Sequence, residues 1–335
     1  MLKVAAFTGG RHIPAARFRV RQYVDRLEKE GVEISEFPAS LGVYPPKSRL
    51  IRPLWAMATL AARLPGIAQS YRYDLTLLQR EMLSTFITME PLTQRPRVLD
   101  VDDAIWLYRG GRFAETLAQR CESVICGNAF LADHFSQWNK NVKIVPTAVD
   151  TVRYAPGAPM DAPIIGWSGT SGGYEYFPAI EPALVSVLQK FPEARLRIVS
   201  DAMPAFQQIP ESRVEYIRWT PENEVQAIQE MAVGIMPLSE SLWDRGKCSF
   251  KMLTYMACGI PVVVSAAGMN IEVLSYGQSG FGAKSVDDWV GALSTLLEDF
   301  EQRKKMGRTG RQVILDRYSL DVVTPELAKA LWHAL

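Results

Sequence analysis

The sequence predicts an α/β protein made of two successive doubly wound halves. Three observations lead there. The chain has 335 residues, room for roughly two domains at about 150 residues each. Short apolar runs alternate with stretches of helical periodicity, and no hairpin turns join the runs, so the strands are expected to be parallel with helical crossovers. The succession of strand, glycine-containing loop and helix opens near residue 3 and again near residue 163.

Each element follows from local signals. Residues 3–7 read as a strand, Gly9-Gly10 as a loop, and 16–30 as one helix with Val20, Val24 and Leu27 at helical spacing. Gly31 ends that helix. Further strands are expected at 32–34, 75–78, 97–101, 123–126 and 142–145, with Asn128 capping a helix that runs to about Trp138. The Pro- and Gly-punctuated stretch 145–159 is the natural linker, dividing the chain into 1–150 and 151–335. The second half reads as strands at 163–168, 195–199, 214–217, 233–236 and 261–265, with helices near 176–190, 222–231 and 248–257. The last helix, about 320–335, is expected to be able to pack back on the N-terminal domain.

Composition narrows the function. Hydrophobic residues are 48% and charged residues 22%, as in ordinary globular proteins, and Lys plus Arg (37) nearly balance Asp plus Glu (36). A net charge of +1 argues against a nucleic-acid binder driven by overall charge. No apolar run approaches the roughly 20 residues of a spanning helix. The opening apolar stretch, residues 4–7, is shorter than the roughly 7–15 of an export signal. Four cysteines without disulfide or zinc spacing (121, 126, 248 and 258) suit a reducing, cytoplasmic compartment. Three histidines make a His-rich metal site improbable on residue supply alone.

The most informative stretch is 243–265, W-D-R-G-K-C-S-F-K-M-L-T-Y-M-A-C-G-I-P-V-V-V-S. It reads as a loop, a helix over 248–257, Gly259 at its end and a buried strand after Pro261. Arg245, Lys247 and Lys251 gather at the helix start, the two lysines four residues apart and so on one side. Cations beside a helix N-terminus suit an anion such as a diphosphate. Two solvated surface lysines are the plainer reading of the same residues.

This stretch resembles the donor-binding segment of the retaining GT-B glycosyltransferases of family 4, the "glycosyltransferases group 1". Residues 255–263, Y-M-A-C-G-I-P-V-V, match the family run E-(A/Y)-M-A-x-G-x-P-V-V. Further stretches are similar to family segments: V-G-I-M-P-L at 233–238, V-P-T-A-V-D at 145–150 with Y-A-P at 154–156, Gly268 to Glu272 with Gly277 and Gly280-Phe281, and Arg311 to Tyr318-Ser319. The resemblance implies a GT-B fold, two doubly wound Rossmann-like domains facing a central cleft. It also implies transfer of a sugar, with retention, from a nucleotide diphosphate sugar to a glycan or lipid-linked acceptor, without a metal or other cofactor, as in cell-surface polysaccharide synthesis.

By that resemblance Lys251, with Arg245 or Lys247, neutralises the departing diphosphate. Gly9, Gly10, Gly169 and Thr170 approach donor phosphates or sugar, and Trp219 stacks on the base. Asp244, Ser249, Thr254 and Glu272 complete the donor set. The sequence departs from the family in two places. The paired family glutamates fall on Gly246 and Thr254, leaving Asp244 as the nearest substitute. The family His falls on Asp102, followed by Asp103, in the run Asp100-Val101-Asp102-Asp103. Asp102 and Asp103 are candidates to bind sugar hydroxyls or take a proton. Helix capping and pairing with an arginine are their structural alternatives. The same run spells Asp-x-Asp, so a metal-dependent GT-A transferase using Asp100 and Asp102 is a second alternative. A non-catalytic GT-B subunit that binds nucleotide or glycan is the first.

Arg17, Arg19 and Arg21 follow the first loop and suit a phosphorylated or acidic acceptor such as a polyprenyl-linked saccharide. Residues 37–73 hold no Asp or Glu but do hold Lys47, Arg49, Arg52, Arg63 and Arg72, interleaved with Leu54, Trp55, Met57, Leu60 and Leu64. This pattern suits peripheral contact with the inner face of a membrane through 47–72, and equally suits a packed helix.

Overall fold

The computed structural model describes residues 1–11, 13–158 and 161–335. His12, Pro159 and Met160 lie outside the described residues. Two units partition the chain: Met1–Ala148 with Gly246–Cys248 and Leu320–Leu335, and Val149–Arg245 with Ser249–Ser319.

The first unit alternates strands and helices: β1 (Leu2–Thr8), α1 (Pro14–Arg19), α2 (Val24–Lys29), β2 (Val32–Pro38), α3 (Arg52–Ser70), β3 (Leu75–Gln79), β4 (Arg97–Val101), α4 (Arg112–Gln119), β5 (Ser123–Cys126), α5 (Ala129–Phe135) and β6 (Val142–Ile144). The strands form one sheet in the order β2-β1-β3-β4-β5-β6, every pair parallel. The central strands are buried along their whole length, as Leu-Thr-Leu-Leu-Gln of β3 illustrates.

The second unit holds β7 (Ile164–Ser168), α6 (Phe177–Lys190), β8 (Arg195–Ser200), β9 (Val214–Arg218), α7 (Glu224–Gln229), β10 (Val233–Met236), α8 (Leu242–Arg245), α9 (Phe250–Ala257), β11 (Val262–Ser265), α10 (Met269–Ser275), β12 (Gly280–Ala283), α11 (Val286–Glu298) and α12 (Phe300–Arg317). Its sheet runs β12-β11-β10-β7-β8-β9, again all parallel. Strand β12, which the sequence reading did not include, extends it on one edge. Two parallel six-stranded sheets, each flanked by helices, are the expected two doubly wound domains.

The terminal helix α13 (Leu320–Trp332) returns to the first unit. Leu320, Val323, Leu327 and Leu331 join Leu2, Val4, Tyr23 and Leu27 in one apolar core. Each fully buried leucine or valine there contributes about 1.5–3 kcal/mol, and Arg26 pairs with Asp321 at the rim.

Two expected helices differ in detail. The single helix over 16–30 is broken at Val20 (φ −127°, ψ −66°), giving α1, a 3-10 turn at Arg21–Tyr23 and α2. The break lets neighbouring residues reach separate partners: Arg19 bonds to Asp100, Arg21 to Glu36, and the Tyr23 hydroxyl accepts from the Ala148 N–H. The helix expected over 248–257 begins only at Phe250, because Ser249 is left-handed at φ +52°. Its end is as expected: Gly259 (φ +74°) donates to the Met256 carbonyl and Ile260 to that of Tyr255, the Schellman arrangement.

Candidate functional site

In an open parallel sheet the strand order reverses at one point, and ligands bind beyond the strand carboxyl ends there. In the second unit the reversal lies between β7 and β10, the neighbours at the middle of the sheet. Helix α9 packs directly against this pair. The Tyr255 hydroxyl accepts from the Ser168 N–H at 2.7 Å, and a Cβ on Gly234 would come within 2.4 Å of the Tyr255 ring. So fixed, α9 carries Lys251 from its first turn to the carboxyl end of β7.

Lys251 and Gly169 meet there. A Cβ on Gly169 would lie 2.4 Å from Lys251 Cε and 2.9 Å from the ring of Trp167. Only the bare backbone leaves room for the lysine stem. The Lys251 ammonium sits 5.5 Å from the centroid of the buried Trp167 ring, within cation–π range. Tyr174 and Phe177 close on the same indole. The loop that follows is tied by Asp201, which accepts from Ser171 N–H (2.6 Å) and Oγ (2.9 Å); these bonds hold its carboxyl below the usual range. Asp201 belongs to no sequence motif and reaches the loop only through the β7–β8 pairing. Gly169 donates its own N–H to Val199 and Gly173 donates to Thr170, so those two N–H groups are already spent. Thr170 is exposed and Trp219 half-buried in the same unit.

The remaining candidates of this unit divide. Asp244 is buried, accepting from Tyr176, from the N–H (3.1 Å) and hydroxyl of Ser239, and from Ser241 Oγ (2.9 Å). Its carboxylate ties residues 239–244 together. Burial and Asp244 together push the Tyr176 phenol above its usual range. Ser249 is buried with its hydroxyl on Asn270 Oδ1 at 2.7 Å. Thr254 is buried, and its hydroxyl donates to the Lys251 carbonyl one turn back. Asp244, Ser249 and Thr254, expected as donor ligands, each find polar partners within the fold. Arg245 and Glu272 remain exposed, Glu272 accepting from Tyr276 at 3.0 Å. Lys247 is not one turn from Lys251 on a shared helix, because the left-handed Ser249 separates them and residues 246–248 belong to the first unit.

In that first unit the order reverses between β1 and β3. Beyond their carboxyl ends lie Gly9-Gly10 and Arg80, and after neighbouring β4 come Asp102 and Asp103. Arg80 Nε reaches Asp102 Oδ1 at 2.7 Å, and Nη2 bridges Asp102 at 2.6 Å and Asp103. The two carboxylates thus pair with one arginine, the alternative expected from ordinary ion pairing. Arg80, at φ +61°, had no sequence signal beyond its place after a strand. Burial raises the Asp103 carboxyl above its usual range, against the pull of Arg80 and, further off, Lys247. Asn128 caps α5 by accepting from Leu131 (2.9 Å) and donates to the carbonyls of Gly246 (3.0 Å) and Lys247 (3.1 Å). The Cys248 thiol donates to the Asp102 carbonyl at 3.3 Å. This is why 246–248 goes with the first unit.

The arginine cluster is largely structural. Arg19 is buried, its guanidinium on Asp100 at 2.5 Å and on the Val145 carbonyl at 2.7 Å. Burial opposes the Arg19 charge, but Asp100 outweighs it. Arg21 binds Glu36 (2.6 Å) and the carbonyls of Arg11 and Gly10, closing the first loop. Arg19 and Arg21, expected at the acceptor, thus brace the first unit from within, and Arg17 is half-buried. The Arg19 pair also consumes Asp100, so the Asp-x-Asp metal alternative fails on its first carboxylate, and the two-sheet fold is not that of a GT-A enzyme. Among the described residues no group of three or more His, Cys, Asp or Glu is placed to hold a metal ion. A separate pocket of about 500 Å³ opens at the opposite, amino ends of β10 and β11, lined by Phe300, Arg303, Arg308 and Arg311.

Residues 172–299 match the family model "Glycosyl transferases group 1". The chain is 24% identical over 236 residues to the D-inositol 3-phosphate glycosyltransferase of Corynebacterium aurimucosum. That match takes in 58% of this chain and 55% of the relative, so the chain spans about half the length of the curated relative it matches. Among solved structures, Anabaena HepE in complex with UDP and glucose superposes with a TM-score of 0.73 at 17% identity, over 99% of this chain and 100% of that one. Sucrose-phosphate synthase from Thermosynechococcus elongatus gives 0.71 at 14% identity over all of both chains. WaaG, a glycosyltransferase involved in lipopolysaccharide biosynthesis, gives 0.67 at 11% over 99% of each. The chain thus has a GT-B fold of two parallel six-stranded sheets, and a segment of its second unit matches the group 1 glycosyltransferases.

Proposed function

We propose that the protein transfers a sugar, with retention, from a nucleotide diphosphate sugar to a glycan or polyprenyl-linked acceptor in cell-surface polysaccharide synthesis. The observation that carries the proposal is the Lys251 stem laid over Gly169, its ammonium beside Trp167, at the strand reversal of the second sheet. A cation in that position meets the negative charge that grows on a leaving diphosphate. The acceptor oxygen bonds to the anomeric carbon as the bond from that carbon to the phosphate oxygen breaks. The acceptor proton passes to the departing diphosphate. No enzymic nucleophile is needed, which accommodates an inward-turned Asp244 and Thr254. Exposed Arg245 and half-buried Lys247 supply further positive charge. In the first unit the Arg80-braced Asp102 and Asp103, with Arg17, are offered to the acceptor. Solved relatives carrying UDP, as HepE does, support a uridine nucleotide first. Four buried thiols suit a reducing, cytoplasmic setting.

The test incubates the chain with UDP-, GDP-, ADP- and dTDP-sugars, without added metal, and follows release of nucleotide diphosphate, with NMR to read the anomeric configuration of the product. Turnover that retains configuration and collapses in Lys251→Ala is the expected result. Tight nucleotide binding with no turnover of any sugar would instead favour the non-catalytic subunit, a reading motivated by Arg80 engaging both Asp102 and Asp103.

A further inference from the structure

Helix α3 buries Gly66 and Ile67 together with polar side chains and turns an apolar stripe outward. Its polar side chains Thr59, Arg63 and Ser70 are buried, whereas the side chains it exposes include Leu54 (70%), Met57 (69%) and Leu64 (50%). Ala58, Ala61 and Pro65 continue the exposed stripe, and Gln69 is the only polar member among the exposed residues of the helix. The periodicity is helical, from 54 to 57–58, 61 and 64–65. Arg63 shows why the helix faces this way. Its guanidinium donates to the carbonyls of Phe37 and Thr8, both at 2.8 Å, at the carboxyl ends of β2 and β1. Gly66 lies against Phe37 and Phe7. The polar edge is thereby pinned to the sheet and the apolar edge turned out.

The flanks carry charge of one sign. Residues 37–73 hold no acid, and Lys47, Arg49 and Arg72 are exposed. Leu50 (92%) and Ile51 prolong the apolar surface past the helix start. Arg52 bonds to the Pro46 and Lys47 carbonyls, and the Trp55 indole N–H to Leu41, fastening this loop to the helix.

From this we propose that α3 with the preceding loop is a docking surface for an anionic phospholipid bilayer. The apolar stripe enters the headgroup boundary and the flanking cations meet lipid phosphates. At 19 residues the helix is about 28 Å long, and no helix of the described residues is long and apolar enough to cross a membrane, so it lies along the surface. The cations favour lipid over a second copy of the chain, whose matching face would set like charges together. Docking places the ends of β1 and β2 next to the lipid headgroups. The proposal does not depend on the transfer chemistry, since nucleotide binding in the second unit is measured separately.

The experiment sediments the full chain with vesicles of phosphatidylglycerol and phosphatidylcholine, or of phosphatidylcholine alone. Binding to the anionic vesicles that weakens with salt is expected. The Leu54→Asp/Met57→Asp variant should bind at least about tenfold more weakly, with unchanged circular dichroism and unchanged nucleotide binding. Lys47→Glu/Arg49→Glu should lose the preference for anionic lipid. No sedimentation of the wild-type chain, or equal sedimentation of Leu54→Asp/Met57→Asp, overturns the proposal. So does a dimer in light scattering that this variant dissolves while neither protein binds vesicles.

Discussion

Replacing Gly169 with alanine tests the donor corner from its backbone side. The added Cβ would sit 2.4 Å from Lys251 Cε and 2.9 Å from two atoms of the Trp167 ring, against about 3.5–4.0 Å for an ordinary carbon contact. The lysine stem can swing aside. The indole cannot, because it is buried between Tyr174 and Phe177. The overpacking should cost about 1–3 kcal/mol of stability, read as a lower unfolding midpoint in urea. The larger effect is on binding. A displaced ammonium loses its charge-assisted contacts with the diphosphate, about 1.5–3 kcal/mol. That corresponds to roughly 10–150-fold weaker nucleotide affinity, measured by titration calorimetry. If Gly169 acts through Lys251, then Gly169→Ala added to Lys251→Ala should weaken binding little further. Wild-type affinity in Gly169→Ala, or full additivity in the double variant, would refute the reasoning.

Other perturbations read other parts of the account. Arg19→Met leaves Asp100 buried without its partner and should cost about 3–5 kcal/mol. Burial already raises the Asp100 carboxyl and Arg19 restrains it, so the variant's carboxyl rises further. Its deficit is then largest where the carboxyl is ionised and shrinks as pH falls through the raised folded value, as urea melts at several pH values would show. Burial lowers the His134 imidazole below its ordinary 6.5, and the ring stacks on Trp106 at 3.7 Å. Folding stability from a neutral His134 is therefore present above 6.5 and lost as pH falls through the folded value; proton NMR should place its midpoint below 6.5. Asp201→Ala frees Ser171 and should raise hydrogen exchange in the loop after β7 while leaving the core strands protected.

The strands were legible because an apolar run between glycine or proline signals has few other uses in a chain with this alternation. Gly259 was legible for a similar reason, since a helix followed by Gly-Ile-Pro has one common ending. The side-chain pairing was not legible. Nothing in the run Asp100-Val101-Asp102-Asp103 says that the first acid goes to Arg19 and the other two to Arg80, because those arginines arrive through sheet order. A left-handed Ser249 is likewise invisible in sequence, and it separates two lysines that helical spacing would have joined. For α3, periodicity located the helix but not its outward face. That was decided by Arg63 bonding to the ends of β1 and β2.

The central claim is that Lys251 at the end of β7 holds a nucleotide diphosphate. Titration calorimetry of UDP into the wild-type chain and Lys251→Ala tests it most directly, with GDP, ADP and dTDP run alongside. The account predicts saturable binding of at least one nucleotide by the wild-type protein, weakened roughly 10–150-fold in a variant that unfolds at the same urea concentration. Equal affinity in the two proteins would contradict it.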